Sequence, residues 1–118
     1  MSNNGNGRHA KVLILGSGPA GLAAALYAAR AELAPVGLTG MQLGGQAALT
    51  HLIENYPGFP EGVGGAQLGE LFQKQAEHFG AKVEFDMAHE VDFSQRPYKV
   101  TADSGENTAE TDIVTTGA

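Results

Sequence analysis

Three glycines with the spacing G-x-G-x-x-G are the clearest candidates for chemistry in this chain, and that chemistry is phosphate binding. They are Gly16, Gly18 and Gly21, and they follow an apolar run at residues 12–15 and precede an alanine-rich segment. In a strand-to-helix setting, the first glycine permits a tight turn and the second lets backbone approach a pyrophosphate. The third lets the helix lie close on the strand. The pattern predicts a dinucleotide site, with a purely structural turn as the alternative.

The residues between these glycines fit the same interpretation. Pro19 suits the first helical turn, where a missing N–H removes no hydrogen bond. The free N–H groups and the positive dipole end of the helix would attract an anion, so Ser17, Pro19 and Ala20 join the three glycines as candidate cofactor-binding residues. Ser17 is not a candidate nucleophile, because no Ser-His-Asp arrangement is apparent and no base lies near it in the sequence.

The end of the second predicted strand departs from the usual dinucleotide pattern. Residues 33–38 are predicted to form this strand, after which an acidic residue commonly binds the ribose hydroxyls. Thr39 and Gly40 stand at that position instead, and Glu32 comes too early in the sequence. The departure argues against an ordinary NAD site.

A long stretch without clear periodicity, residues 39–60, follows the second strand. Loops of this length in a compact domain are usually functional or disordered, and the apolar residues within this one argue against disorder. Gly44, Gly45 and Gln46 offer unhindered backbone and an amide that can pair with a heterocycle. A simple turn at Gly44-Gly45 is the alternative. Asn55 is equally suited to a turn and to a binding site.

The rest of the chain predicts one more helix and four more strands. Residues 65–79 carry apolar side chains at helical spacing, which we expect to form one buried stripe. The members of this stripe are Leu68, Leu71, Phe72, Ala76 and Phe79. The sequence then predicts a parallel strand at 82–85, an antiparallel hairpin at 89–93 and 98–102, a turn at 103–107 and a final strand at 111–115. Strands that alternate with helices indicate an α/β fold.

Composition excludes several classes of function. The formal net charge is -6 and the few basic residues are not concentrated, so we expect no nucleic-acid or anionic-membrane partner. The chain has no Cys and its four His show no ligand spacing, so we expect no metal site. Residues 1–9 are predicted to be a disordered tail, and no apolar stretch is long enough to span a membrane. A cytoplasmic location is the default.

Four segments, in order, resemble the N-terminal half of the bacterial thioredoxin reductases, the low-molecular-weight type of pyridine nucleotide–disulfide oxidoreductase. They are GSGPAGLAAALYAAR, TGMQLGGQ, ENYPGFP and the terminal TTGA. The resemblance implies a Rossmann-like three-layer ββα domain over residues 10–118, with a parallel sheet and a small antiparallel β-meander. It also implies that this FAD-binding domain is incomplete, because the family continues into an NADPH-binding domain and a returning C-terminal FAD segment.

The resemblance implies FAD, and not NAD, as the cofactor. The pyrophosphate would lie at residues 16–21, and a ribose would lie beside Thr39 and Gly40. The other implied positions are Gly44, Gly45, Gln46 and Asn55 near the flavin, Ala88 at the adenine, and Thr116 with Gly117 in a family Ala-Thr-Gly turn. In that turn Thr115 replaces the alanine.

In enzymes of this family NADPH reduces the flavin, and the flavin reduces a Cys-x-x-Cys disulfide that in turn reduces thioredoxin. This chain has neither that cysteine pair nor a second G-x-G-x-x-G, so we expect weak FAD binding and an incomplete catalytic apparatus. A piece of such a reductase is the leading hypothesis. A stand-alone flavin- or nucleotide-binding module and a scaffold that binds no ligand are the alternatives. Apolar surface left without its cover predicts a homo-oligomer.

Overall fold

A computed structural model describes residues 8–117 as a six-stranded sheet with two α-helices against one of its faces. The strands are β1 (Arg8–Leu15), β2 (Val36–Leu38), β3 (Lys82–Glu84), β4 (Ala88–Asp92), β5 (Tyr98–Ala102) and β6 (Gly105–Val114). The helices are α1 (Pro19–Arg30) and α2 (Gly65–His78), and a short 3₁₀ helix occupies Gly45–Leu49. The α/β class predicted from the sequence is confirmed.

The strand order in the sheet is β3-β2-β1-β6-β5-β4. β3, β2, β1 and β6 run parallel to one another, whereas β4, β5 and β6 form an antiparallel meander. β6 belongs to both halves, because its first five residues pair with β5 while nearly its whole length pairs with β1. The parallel sheet and the meander implied by the resemblance are therefore both present.

β6 begins earlier than the sequence prediction placed it. Residues 103–107 were expected to form a turn, yet β6 starts at Gly105 and residues 105–109 pair with β5. The connection between the two strands needs only Asp103 and Ser104. Residues 105–107, whose polar character indicated a loop, therefore lie in a strand, because pairing with β5 provides hydrogen-bond partners for their backbone groups.

β1 is buried on both faces, as its unbroken apolar run predicts. Val12 and Ile14 face the helices, where they pack with alanines of α1 and α2. Leu13 and Leu15 face the other side, where they pack with residues of β2 and with Val100 of β5. Because β5 reaches the same cluster as β1 and β2, the meander covers the sheet face opposite the helices. The three expected layers are present.

Only part of the predicted apolar stripe of α2 is buried. Leu68 and Ala76 lie in the core, and Phe72 is half-buried. Leu71 is 40% exposed and Phe79 is 44% exposed, so the prediction that these two belong to the core was wrong. α2 is buried along a narrow row of small and apolar residues: Gly65, Leu68, Gly69 and Ala76. Glycines in that row bring the helix close to its neighbours and leave the flanking side chains outside.

β1 also extends further toward the N-terminus than its apolar residues indicate. Arg8 and His9 lie in the strand, although the sequence placed them in the tail. Arg8 is paired with Asn107 of β6, and its guanidinium lies 3.2 Å from the carboxylate of Glu84. The rest of the expected tail, residues 1–7, lies outside the described residues, as does residue 118.

Asp112 is a carboxylate in an unfavourable position on β6. It is in register with Leu13, and both of its carboxylate oxygens are buried without a hydrogen-bond partner among residues 8–117. Burial raises the pKa of Asp112 above its ordinary value of 3.8. We expect Asp112→Asn to increase the free energy of unfolding at neutral pH, because the amide carries no charge to desolvate. Urea denaturation measures the difference.

The sign of this effect reverses at Asp92, which makes Asp92→Asn a suitable control. Hydrogen bonds from Ser94 lower the pKa of Asp92, so its stabilisation is present above pH 3.8 and is lost as pH falls through the lowered pKa. The penalty at Asp112 is complete above its raised pKa and disappears as pH falls below 3.8. This interpretation would be contradicted if, at neutral pH, Asp92→Asn increased the free energy of unfolding or Asp112→Asn did not.

Candidate functional site

A groove of about 560 Å³ lies where the parallel strands end. Its lining includes the last residues of β1 and β2, the two residues Met87 and Ala88 beyond β3, and residues 115–117 beyond β6. This volume falls within the range of roughly 300–1,000 Å³ that is usual for small-molecule sites. In open α/β sheets, ligands bind at the carboxyl ends of the strands, so this is the expected location.

The glycine-rich turn forms the centre of the groove. Gly16 has a φ of 116°, and its N–H donates to the carbonyl of Leu38 at 2.9 Å, which joins the turn to the end of β2. α1 begins at Pro19, directly after Gly18, and no side chain caps its N-terminus. The N–H groups of the first helical turn are therefore available to an anion in the groove.

Ser17 fastens the turn to the segment that follows β2. The residue is only 3% exposed, and its hydroxyl lies 3.1 Å from the carbonyl oxygen of Thr39 and 3.2 Å from that of Gln42. The same hydroxyl accepts a hydrogen bond from the N–H of Gly44 at 3.3 Å. A hydroxyl has one proton to donate and two lone pairs, so this side chain is occupied within the protein. Its contribution to the site is positional.

Gly45 brings the 3₁₀ helix against the glycine-rich turn. Its φ is 66°, and a Cβ at this position would lie 2.8 Å from the Cα of Gly18. Only glycine permits this approach without a shift in backbone. The close packing of Gly45 on Gly18 makes Gln46 and its successors one wall of the groove.

Most of the residues predicted from the sequence are brought together here. The groove-lining members are Gly16, Ser17, Gly18, Pro19, Ala20, Thr39, Gly40, Gly45, Gln46, Ala88, Thr116 and Gly117. Three predicted residues are not in the lining: Gly21, Gly44 and Asn55. Gly21 faces the carbonyl of Gly16, and Gly44 packs near Gly69 of α2.

Asn55 is exposed, in a loop whose neighbour Tyr56 packs on Phe72 of α2 with the ring centroids 5.7 Å apart. This contact holds the loop on α2. The structure therefore does not place Asn55 with the other predicted residues. The turn interpretation of Asn55, which the sequence left open, matches its position.

Sequence reasoning missed seven of the lining residues, and an eighth, Thr115, was placed in the turn with Thr116 and Gly117 without a binding role. The seven are Leu15, Leu38, Met41, Gln42, Ala47, Leu49 and Met87. Most are apolar, and an apolar residue in a sequence is equally suited to the core. A usable signal was their position, since several directly follow a predicted strand or flank a predicted site glycine.

None of the side chains that line the groove is ionisable. An anion bound here would be held by backbone N–H groups and by the α1 dipole, without an ion pair. Residues 8–117 contain no cluster of His, Asp or Glu that could hold a metal ion. Neither of the described helices has the length and apolar character required to cross a bilayer. The chemistry that this arrangement supports is the binding of a phosphorylated ligand with a large apolar part.

Comparisons with known proteins agree with this fold. A family model described as pyridine nucleotide-disulphide oxidoreductase matches residues 10–118. The thioredoxin reductase of Vibrio cholerae serotype O1 is 51% identical over 113 residues, and that of Rickettsia bellii is 54% identical over 109 residues. The two alignments cover 96% and 92% of this chain, but only 36% and 35% of the relatives. A glucosaminate ammonia-lyase of Pseudomonas fluorescens is 48% identical over 111 residues, 94% of this chain and 35% of that protein.

A solved structure gives the same result. The thioredoxin reductase of Gloeobacter violaceus superposes with a TM-score of 0.89 at 38% identity, covering 93% of this chain and 37% of that one. The chain thus spans about a third of the length of the relatives that it matches. Because the family model extends over nearly all of the sequence, the chain belongs to the pyridine nucleotide-disulphide oxidoreductase family.

Proposed function

We propose that this chain binds FAD and is the FAD-binding part of a thioredoxin reductase-like flavoprotein. The observation that carries the proposal is the groove, which combines an uncapped helix N-terminus, a close-packed glycine turn and apolar walls. A pyrophosphate requires N–H donors and close approach of backbone, and the turn offers both. The residues present therefore fit the cofactor.

Contact roles are proposed only for the residues that line the groove. The pyrophosphate would lie at residues 16–20. In such βαβ units the adenosine ribose lies beside the end of the second strand, which here is Thr39 and Gly40. Gln46 would face the flavin half, where its amide can pair with ring nitrogens and oxygens. Gly21 and Gly44 would contribute through packing.

For the whole protein we propose that electrons pass from NADPH through FAD to a disulfide, with thioredoxin or a similar disulfide protein as partner. The proposal rests on the names of the similar reductases, of which this chain spans about a third. FAD supplies the electron-transfer chemistry, and the residues of this chain bind and orient it. The homo-oligomer and the cytoplasmic location stay predictions.

Gly18→Ala tests the FAD proposal without damage to the fold. Gly18 has a φ of -72°, which alanine adopts, and an added Cβ would have 3.7 Å to its nearest neighbour, the Cα of Gly45. The methyl group would obstruct the approach of a pyrophosphate to the turn. We expect FAD affinity to fall by at least about tenfold, with an unfolding midpoint near that of wild type. Flavin fluorescence titration and thermal unfolding measure the two quantities.

Gly37→Ala is the matched control. Gly37 lies in β2 outside the groove, and an added Cβ would approach only the carbonyl oxygen of Lys82, at 4.0 Å. This variant should bind FAD as wild type does. Unchanged affinity in Gly18→Ala, or a wild-type chain that binds no FAD, would refute the proposal. The alternative hypothesis, a scaffold that binds no ligand, predicts that Gly18→Ala changes only the stability of the chain.

A further inference from the structure

Asp86 is a buried carboxylate next to one wall of the groove, and it serves no role assigned so far. It is 6% exposed and directly precedes Met87 and Ala88, which line the groove. One carboxylate oxygen, Oδ1, accepts a hydrogen bond from the N–H of Met87 at 2.9 Å. Oδ1 is also 3.3 Å from the N–H of Ser104, and Oδ2 accepts from the Ser104 hydroxyl at 2.5 Å. The side chain thus connects the wall to the β5–β6 turn.

The backbone around Asp86 completes this connection. The carbonyl of Asp86 accepts from the N–H of Gly40 at 2.8 Å, and the carbonyl of Met87 accepts from the N–H of Asp103 at 3.1 Å. A guanidinium nitrogen of Arg8 lies 4.0 Å from Oδ2 and supplies an opposite charge. The backbone N–H and carbonyl of Met87 are therefore both held within the protein. The orientation of Met87 and Ala88 toward the groove depends on these contacts.

We propose that Asp86 is a positioning residue for the adenosine half of the bound dinucleotide, an inference that rests on the proposed binding of FAD. Gly40, Met87 and Ala88 meet where β2 ends, the end at which βαβ units hold the adenosine ribose. The 3₁₀ helix lies instead against Gly18. Asp86 therefore acts on one half of the ligand, through Met87 and Ala88, and does not touch the ligand itself.

Competition between FAD and two smaller ligands tests the proposal. ADP carries the adenosine half and FMN carries the flavin half, so the two displace FAD through different parts of the groove. We expect Asp86→Ala to raise the dissociation constant of ADP roughly tenfold, because buried N–H and O–H donors lose their acceptor. The constant for FMN should stay within about twofold. A change confined to one half of the ligand is not expected from a general loss of structure.

Asp86→Asn and Asp92→Ala are the accompanying variants. The amide oxygen of Asp86→Asn can still accept from the N–H groups of Met87 and Ser104, so most of the ADP affinity should return. Asp92 makes similar hydrogen bonds to Ser94, at 3.0 Å and 2.6 Å, but lies outside the groove. Asp92→Ala should leave both constants unchanged. If Asp86→Ala does not fold, Ser104→Ala removes one of the same hydrogen bonds and should weaken ADP selectively.

The outcomes separate the two proposals. Equal losses of ADP and FMN affinity, or no loss in Asp86→Ala, would overturn the role of Asp86 and leave the FAD proposal standing. The role of Asp86 would also be overturned if Asp92→Ala changed the dissociation constants of ADP and FMN as Asp86→Ala does. A wild-type chain that binds FAD, ADP and FMN in no measurable amount would overturn both. If the wild-type chain binds ADP but not FMN, the positioning role is tested with ADP alone. It is supported if Asp86→Ala weakens ADP binding and Asp86→Asn restores most of it.

Discussion

Gly16→Ala is expected to lower the free energy of unfolding more than the same change at Gly18, Gly64, Gly65 or Gly80. A Cβ at Gly16 would overlap the carbonyl oxygen of Thr115 and lie 2.8 Å from its Oγ1, and the backbone φ of 116° disfavours any other residue. Overpacking costs about 1–3 kcal/mol and the backbone conformation about 1–2 kcal/mol. We therefore expect a loss of roughly 2–5 kcal/mol in the free energy of unfolding, which urea denaturation measures.

Gly80→Ala separates the two causes of that loss. Gly80 has a φ of 110°, close to that of Gly16, and an added Cβ there would meet nothing within 4 Å. Its cost should be limited to the backbone term of about 1–2 kcal/mol. If both variants lose the same stability, then overlap with Thr115 is not what requires glycine at position 16.

Gly65→Ala is the second change with a large expected effect. A Cβ at Gly65 would overlap the carbonyl oxygen of Ala47 and lie 2.6 Å from that of Thr50, whose carbonyl accepts from the Gly65 N–H at 3.0 Å. α2 would have to move away from the 3₁₀ helix. The overlap and the weakened hydrogen bond together should cost about 2–4 kcal/mol. Because the 3₁₀ helix is a wall of the groove, FAD affinity should fall as well.

The neighbouring glycine provides the control. At Gly64 an added Cβ would be 3.6 Å from the carbonyl oxygen of His51 and 3.9 Å from the Cβ of Gln67, both ordinary contacts. Gly64→Ala should lose about 1 kcal/mol or less as a helix N-cap and should keep its FAD affinity. Cleavage after Glu54 by the glutamate-specific endoproteinase Glu-C gives an independent measure, since release of α2 would expose the loop around Tyr56. Similar cleavage rates in the two variants would contradict the expected movement.

Local patterns were sufficient to predict the first βαβ unit, and non-local pairing decided what they missed. β1 and α1 have clear signals, an apolar run and a glycine spacing. α1 formed where expected, and β1 contains the whole apolar run, although it begins earlier, at Arg8. β2 is shorter than predicted because Glu32 and Ala34 adopt positive φ in the preceding turn, which no propensity indicates. The early start of β6 depends on β5, because the polar residues at 105–107 become a strand only when a partner is present.

The site was predictable where it depends on backbone and unpredictable where it depends on side-chain direction. Glycine spacing located the phosphate turn, because close backbone approach has few other solutions. Ser17 was included for its position in that turn, whereas its hydroxyl points inward to Thr39 and Gln42. Nothing in the sequence distinguishes Asp86 from a solvated surface carboxylate, since its partner Ser104 is 18 residues away in the chain. Such a contact is visible only after folding.

The pairing of β1 with β6 has a consequence for the order in which the protein folds. These adjacent central strands are far apart in the chain: His9 contacts Thr108 across 99 residues, and Thr115 donates to Leu15 across 100. Loop closure over such a distance is costly before its contacts form, so this pairing is expected to be a slow step. On the ribosome, one edge of β1 remains without a partner until β6 has emerged. During that interval an apolar strand with an open edge is a natural target for chaperones and for aggregation.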